Sequence, residues 1–223
     1  MQRVELKFQL SYEKYLTLKE RLSVLLNKDR EKYSVISQYF DTENLDCFYD
    51  KIEGELYHTK IRLRKYSDNL KDPSQPFFLE AKIKEDKWGM KHRQKIKDLS
   101  SAELSPYFNS IFTAKTLKPT CNVFYTREAF EDYFEGQKLR INFDTNLIFL
   151  PPNITDVSAF KNQNLQNYGL NFYAILEVKY SKEIIPEFIQ KELKALDIRE
   201  TSFSKYSNSA LAMIKNIRGE NIL

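Results

Sequence analysis

Three short stretches repeat one chemical pattern. "VELKF" sets Glu5 and Lys7 on one side of an extended chain with Val4, Leu6 and Phe8 behind. "FLEAKIK" does the same with Glu80 and Lys82 against Leu79, Ala81 and Ile83, and "ILEVKY" with Glu177 and Lys179 against Leu176, Val178 and Tyr180. Side chains alternate across a strand with period two, so in each case the charges share a surface. "TKIRLRKY" aligns Lys60, Arg62 and Arg64, "MKHRQKI" aligns Lys91, Arg93 and Lys95, and "LRINFDT" aligns Arg140, Asn142 and Asp144. One half-exposed antiparallel strand shows such alternation merely by facing water. Repetition of one polarity, mainly Arg and Lys with a few carboxylates, reads instead as a polyanion site.

The planar fork of arginine matches phosphate bidentately, and lysine adds a point charge. Carboxylates among them oppose anion binding unless they hold a divalent cation, Mg²⁺ or Mn²⁺, that bridges to phosphate oxygens. The mixture therefore implies phosphate plus metal. Backbone cradles are excluded: five glycines, at 54, 89, 136, 169 and 219, form neither a Walker A loop nor G-x-G-x-x-G.

The elements that must position these residues are mostly strands. Period-two runs fall at 3–8, 34–41, 56–66, 77–84, 90–97, 121–130, 138–145 and 172–180. Ser11 is placed to cap a helix whose Tyr15, Leu18, Leu22, Leu25 and Leu26 form one apolar stripe. Further helical patterns occupy 101–108, 186–196 with Pro186 in the first turn, and 207–217. Residues 151–168, rich in Asn, Gln and Pro, read as a long mobile loop. "KDREK" at 28–32 and "KIKEDK" at 82–87 read as charged strand ends or turns, and Trp88 beside Gly89 as a turn. No linker divides the chain, so residues 1–223 are expected to form a single domain. The fold class is α+β, mainly β. A closed antiparallel eight-stranded barrel would gather the charged faces into one lumen, wide enough for a slender ligand, with flanking helices over the outward apolar faces.

Composition narrows the partners. Lys and Arg number 35 against 31 Asp and Glu, a net charge of +4 that does not by itself call for nucleic acid. Tyr39, Phe40 and Tyr66 sit in strand patterns that read as core rather than as a stacking platform. Cys47 and Cys121 lack zinc spacing and read as buried thiols of a reduced, cytoplasmic protein. The chain has no apolar run long enough to span a membrane and opens directly on a strand pattern, which reads as soluble and unprocessed. His58 and His92 have no triad context and read as exposed residues at strand ends, His92 pointing away from Lys91 and Arg93.

In order, "RVELKF", "SQYFDT", "KIRLRKY", "FLEAKIK", "FYTREAF", "RINFDT", "ILEVKY" and "FSKY" resemble the motif series of the VTC domain, the polyphosphate polymerase module of the vacuolar transporter chaperone family within the CYTH or triphosphate tunnel metalloenzyme group. The resemblance runs from Arg3 to about Tyr206. It implies that Arg62, Arg64, Lys82, Arg127, Arg140 and Lys205 act on the transferred phosphoryl group. Lys7, Lys60, Lys91, Arg93, Lys179, Tyr125 and Ser204 would hold the rest of the triphosphate and the growing chain. Glu177 is the implied metal ligand, with Glu5 and Glu80 as second candidates. The implied reaction moves the terminal phosphoryl group of ATP onto polyphosphate with Mn²⁺ or Mg²⁺. A separate membrane partner, as in the family's longer proteins, is left open.

Two alternatives share the fold. Triphosphatases and cyclases of the superfamily open with E-x-E-x-K, whereas this chain has Arg3 at the first position, which favours the polymerase. Asn142 stands where the family has Thr or Ser, which keeps open a module that binds polyanions without turning them over.

Overall fold

The computed structural model describes residues 4–85, 88–96, 116–157, 172–181 and 184–217. Arg3 and the expected helix at 101–108 lie outside them. The strands are β1 (Val4–Leu10), β2 (Lys28–Asp41), β3 (Tyr57–Lys65), β4 (Phe77–Glu85), β5 (Trp88–Ile96), β6 (Lys118–Phe134), β7 (Gln137–Leu150) and β8 (Ala174–Tyr180). The helices are α1 (Tyr12–Leu25), α2 (Asp46–Glu53), α3 (Glu187–Ala195) and α4 (Lys205–Ile217). The strands form one mainly antiparallel sheet in the order β1-β8-β7-β6-β2-β3-β4-β5.

The expected closed barrel differs from this ladder in one respect. The terminal strands β1 and β5 each have one hydrogen-bonded neighbour, so hydrogen bonds among the described residues do not close the sheet.

Several local expectations also change. "KDREK" opens β2, in keeping with its reading as a charged strand end. Trp88 and Gly89 open β5, their backbone in register with Glu85 and Lys84. Helix α2 has no apolar stripe to announce it; it starts from Leu45 in the left-handed region and ends at Gly54, φ 81°. In α1 the Ser11 hydroxyl accepts from the Lys14 amide as expected, and Tyr15, Leu18 and Leu22 are buried. Leu26 is buried as expected, but Leu25 is 55% exposed. β6 and β7 are joined by Glu135 (φ 49°) and Gly136 (φ 70°), a two-residue turn with both residues left-handed, as a type I′ hairpin requires. The described start of the long loop is pinned rather than free. Asn122 Nδ2 donates to the carbonyls of Pro152 at 3.2 Å and Ile154 at 2.6 Å, and Val157 is fully buried.

Contacts divide the chain into two compact units. The first comprises residues 1–34, 125–147 and 169–203, the second 35–124, 148–168 and 204–223. In the first unit Phe8, Leu10, Ile141, Phe143, Leu176 and Val178, the apolar alternates of β1, β7 and β8, pack with Leu18 and Leu22 of α1 and Ile189 and Leu193 of α3. In the second, Ile61, Leu63, Leu79 and Ala81 pack with Leu70, Val157 and Ile96. Each core consumes one face of its strands, which leaves the charged alternates on the other.

Candidate phosphate-binding site

In the second unit the strand register arranges the charged residues in rows. Lys60 pairs with Lys82 and Lys82 with Lys91; Arg62 with Glu80 and Glu80 with Arg93; Arg64 with Phe78 and Phe78 with Lys95. These nine positions share one face, about 13 Å along the strands and 10 Å across them by ordinary strand spacings. Seven are cations and one is a carboxylate. Like charges directly opposite one another destabilise a ladder, and the Lys60, Lys82 and Lys91 row has nothing else.

Glu80 is the counterion of this face. Its carboxylate, 3% exposed, lies 2.6 Å from Arg62, 2.9 Å from Lys91, 3.5 Å from Arg93 and 3.8 Å from Arg64. Burial alone would raise its pKa, but Arg62, Arg64 and Lys91 outweigh it and hold the carboxyl well below the usual carboxylate range. The Lys91 ammonium is nonetheless pushed down: burial disfavours its charge by more than the attraction of Glu80 restores, and Arg62 and Arg64 add smaller repulsions. With seven cations against one carboxylate, the nine positions carry surplus positive charge.

Strand β2 supports it. Ser37 and Tyr39 stand opposite Arg64 and Arg62, and Arg64 Nε donates to Ser37 Oγ at 3.3 Å and Arg62 Nη1 to Tyr39 Oη at 3.1 Å. Arg93 lies 3.9 Å over the Phe78 ring and donates to Tyr66 Oη at 3.2 Å. Lys60 Nζ donates to Ser204 Oγ at 3.0 Å, and the same hydroxyl accepts from the Ser207 amide as the N-cap of α4. Lys205 opens that helix, half-buried.

The charged residues of the first unit mix both signs. Glu5 pairs with Lys179 and Lys179 with Arg140; Lys7 pairs with Glu177 and Glu177 with Asn142. Lys179 lies 2.9 Å from Glu177, and Asn142 Nδ2 donates to Glu177 at 3.2 Å. Arg127 is clamped bidentately by Asp144 at 2.6 and 2.7 Å and reaches Glu177 at 3.5 Å. Burial opposes its charge, but Asp144 raises its pKa well above the ordinary value. Tyr125 is buried, its ring 5.2 Å from that guanidinium. Arg140 donates to Glu131 at 2.8 Å and Asp29 at 2.9 Å, so two carboxylates already neutralise it. Lys7 donates to the Phe203 carbonyl at 3.0 Å and lies 3.9 Å from Glu5.

Among the described residues no three acidic, histidine or cysteine side chains converge as a ready metal cage. Glu177 and its diagonal neighbour Glu5 offer two carboxylates on one face. That number suits Mg²⁺ or Mn²⁺, which are commonly held by one or two carboxylates, water and substrate phosphates. Glu80 fits poorly, because four cations crowd its oxygens.

Other expectations are corrected or extended. His58 is buried rather than exposed: its Nδ1 lies 3.2 Å from the Glu55 carbonyl, and burial with nearby Lys60 pushes its pKa down. His92 pairs with Ala81, on the face opposite Lys91 and Arg93 as expected. Both cysteines are buried and free, and burial pushes Cys121 up to about 12. Lys65, the odd cation in the apolar alternation, is buried, donating to the Leu70 carbonyl at 2.8 Å over the Phe77 ring. The sequence pattern assigns no site role to Asp144, Tyr39 or Asp41; register sets Tyr39 opposite Arg62, and Asp144 clamps Arg127.

An antiparallel sheet with a packed and a charged face defines the class of fold, and comparison places it further. The VTC domain model matches residues 2–214, and the chain belongs to the VTC domain family. Comparison with curated proteins gives no match. Among solved structures the chain resembles HpAC1 of Hippeastrum, described as a candidate adenylyl cyclase with a dominant triphosphatase activity. That pair is 14% identical, covers 94% of this chain and 95% of the other, and has a TM-score of 0.54. A candidate adenylate cyclase of Vibrio parahaemolyticus is 12% identical over 93% of this chain and 98% of its own, with a TM-score of 0.48. The first likeness bears on the fold alone. Among the described residues no helix is long and apolar enough to cross a membrane.

Proposed function

We propose that this protein is a polyphosphate polymerase-type phosphotransferase that moves the terminal phosphoryl group of ATP onto a polyphosphate chain. The observation that carries the reading is the three-row cation face on β3, β4 and β5, with Glu80 as its one carboxylate. Family membership supports it. Phosphoryl transfer asks little covalent chemistry of a protein; it asks for in-line positioning and stabilisation of charge on the equatorial oxygens.

Arg62, Arg64, Lys82, Lys91 and Arg93 supply that charge, with Lys60 and Lys205 at the edge near Ser204. Preorganisation matters because donors already fixed need no reorganisation during reaction. Glu80 fixes Arg62, Ser37 fixes Arg64, and Asp144 fixes Arg127. A divalent cation held by Glu177, with Glu5 beside it, would neutralise charge on the phosphate oxygens. Arg127, 3.5 Å from Glu177, helps to orient that carboxylate.

The test is incubation of the purified protein with γ-labelled ATP and Mn²⁺, with products resolved on a gel. A ladder of long anionic chains is expected. Free labelled phosphate instead would mean a triphosphatase, and unchanged ATP with retained triphosphate binding would reduce the protein to a polyanion-binding module.

A further inference from the structure

The "SQYFDT" and "FSKY" stretches bring together groups that the reading above leaves without a role. Asp41 is fully buried. Its Oδ1 accepts from the amides of Thr42 at 2.7 Å and Cys47 at 2.9 Å, and its Oδ2 from the amide of Phe48 at 3.0 Å. Two of those amides are in the first turn of α2, where unpaired N–H groups and the helix dipole favour a carboxylate. A carboxylate fixed in this way is a rigid acceptor, and the Tyr206 hydroxyl donates to its Oδ2. Charge-assisted bonds of this kind are the stronger class.

Tyr206 then touches the phosphate-binding face by two routes. Its ring stacks on Tyr39, centroids 5.2 Å apart at 25°, and Tyr39 Oη is the acceptor for Arg62 Nη1. Two residues before Tyr206, Ser204 holds Lys60 Nζ at 3.0 Å. Neither Asp41 nor Tyr206 is placed to meet phosphate: both are buried, and a carboxylate would repel it.

We propose that Asp41 is a positioning residue for Arg62 and Lys60, acting through Tyr206, which sets Tyr39 against Arg62 and Ser204 against Lys60. The assignment rests on the reading that this face takes phosphate. Long basic side chains lose rotamer freedom when they grip an anion, so partners that order them beforehand strengthen binding without touching the ligand.

The experiment measures tripolyphosphate affinity by titration calorimetry, at a temperature where every variant is folded by circular dichroism. The proteins are the unsubstituted chain, Asp41→Asn, Tyr206→Phe, Arg62→Ala and the double variant Tyr206→Phe, Arg62→Ala. Tyr206→Phe is expected to weaken binding about five- to tenfold, the size of one ordinary hydrogen bond and less than a full charge-assisted one, because the effect reaches the ligand indirectly. In the Arg62→Ala background the same substitution is expected to cost less than half as much on a logarithmic scale, because one route is already gone. Unchanged affinity in Tyr206→Phe overturns the proposal. So does an equal loss in both backgrounds, which marks a general softening of the fold. Should Asp41→Asn fail to fold, Tyr206→Phe carries the test. If the unsubstituted chain does not bind tripolyphosphate, the phosphate reading falls and takes this assignment with it; binding with an unaffected Tyr206→Phe removes this assignment alone.

Discussion

At the scale of single residues, the question is what each carboxylate does among the cations. Glu80 lies within 3.8 Å of four basic side chains, while Glu177 meets Lys179, Asn142 and Arg127 on a face that also carries Glu5. The two should fail differently. Glu80→Gln leaves the cations without their counterion and is expected to lower stability by roughly 3 kcal/mol, less where solvent screens Lys91 and Arg93. Added tripolyphosphate should restore more stability to this variant than to the parent, because it replaces the lost charge. The sign with pH follows from the depressed folded-state pKa of Glu80. Its contribution is complete above the ordinary carboxylate range and is lost as pH falls through and below it, so the acid side of the stability curve should be flatter in Glu80→Gln. Urea unfolding at a series of pH values checks this; a parallel acid limb in both proteins would sink the counterion role. A second contrast separates binding from turnover. Arg64→Ala should weaken tripolyphosphate binding about tenfold or more, and Glu177→Gln should spare most binding while abolishing Mn²⁺-dependent turnover. Equal losses of binding would make Glu177 structural.

At the scale of elements, α1 shows how periodicity can be read almost correctly. Tyr15, Leu18, Leu22 and Leu26 hold the buried stripe, whereas Leu25 points to solvent. Leu18→Ala should therefore cost about 2–5 kcal/mol and Leu25→Ala less than about 0.5 kcal/mol in denaturant unfolding; similar costs would mean that the stripe is misassigned. Strand identity was legible for the same reason that this stripe nearly was. A face packed on a core imposes a period that the order of residues displays, and each of the eight expected runs overlaps a strand among the described residues. The rest was hidden because it depends on partners far along the chain. Nothing in "LDCFYDKIE" shows the short α2, whose start is fixed by a carboxylate from the preceding strand. The candidate site was legible as residue types, since Lys60, Arg62, Arg64, Lys82 and Lys91 announce a basic face. The rows were not, because they depend on register. Nor were Tyr39 and Asp144, which matter through one arginine each.

At the scale of the whole molecule, a net charge of only +4 conceals a strongly uneven placement. Seven cations share nine positions on β3, β4 and β5, while the charged face of the first unit pairs its cations with Glu5, Glu177, Asp144, Glu131 and Asp29. Two unit charges about 4 Å apart interact by roughly 4 kcal/mol at an effective dielectric of 20, so such a face lowers the stability of the free protein until an anion arrives. The consequence is measurable without any assumption about catalysis. Tripolyphosphate at about 100 times its dissociation constant should stabilise the fold by roughly 2.7 kcal/mol, which for a chain of this size raises the Tm by about 5–10 °C. Because the face is partly exposed, affinity should weaken as salt rises from about 0.05 to 0.5 M, so at a fixed tripolyphosphate concentration the shift should shrink. Orthophosphate, which spans fewer rows, should give a smaller shift at equal concentration. A Tm that ignores tripolyphosphate at low salt would mean that the surplus charge is met by other groups of the chain, and the phosphate reading would fail before any assay of turnover was run.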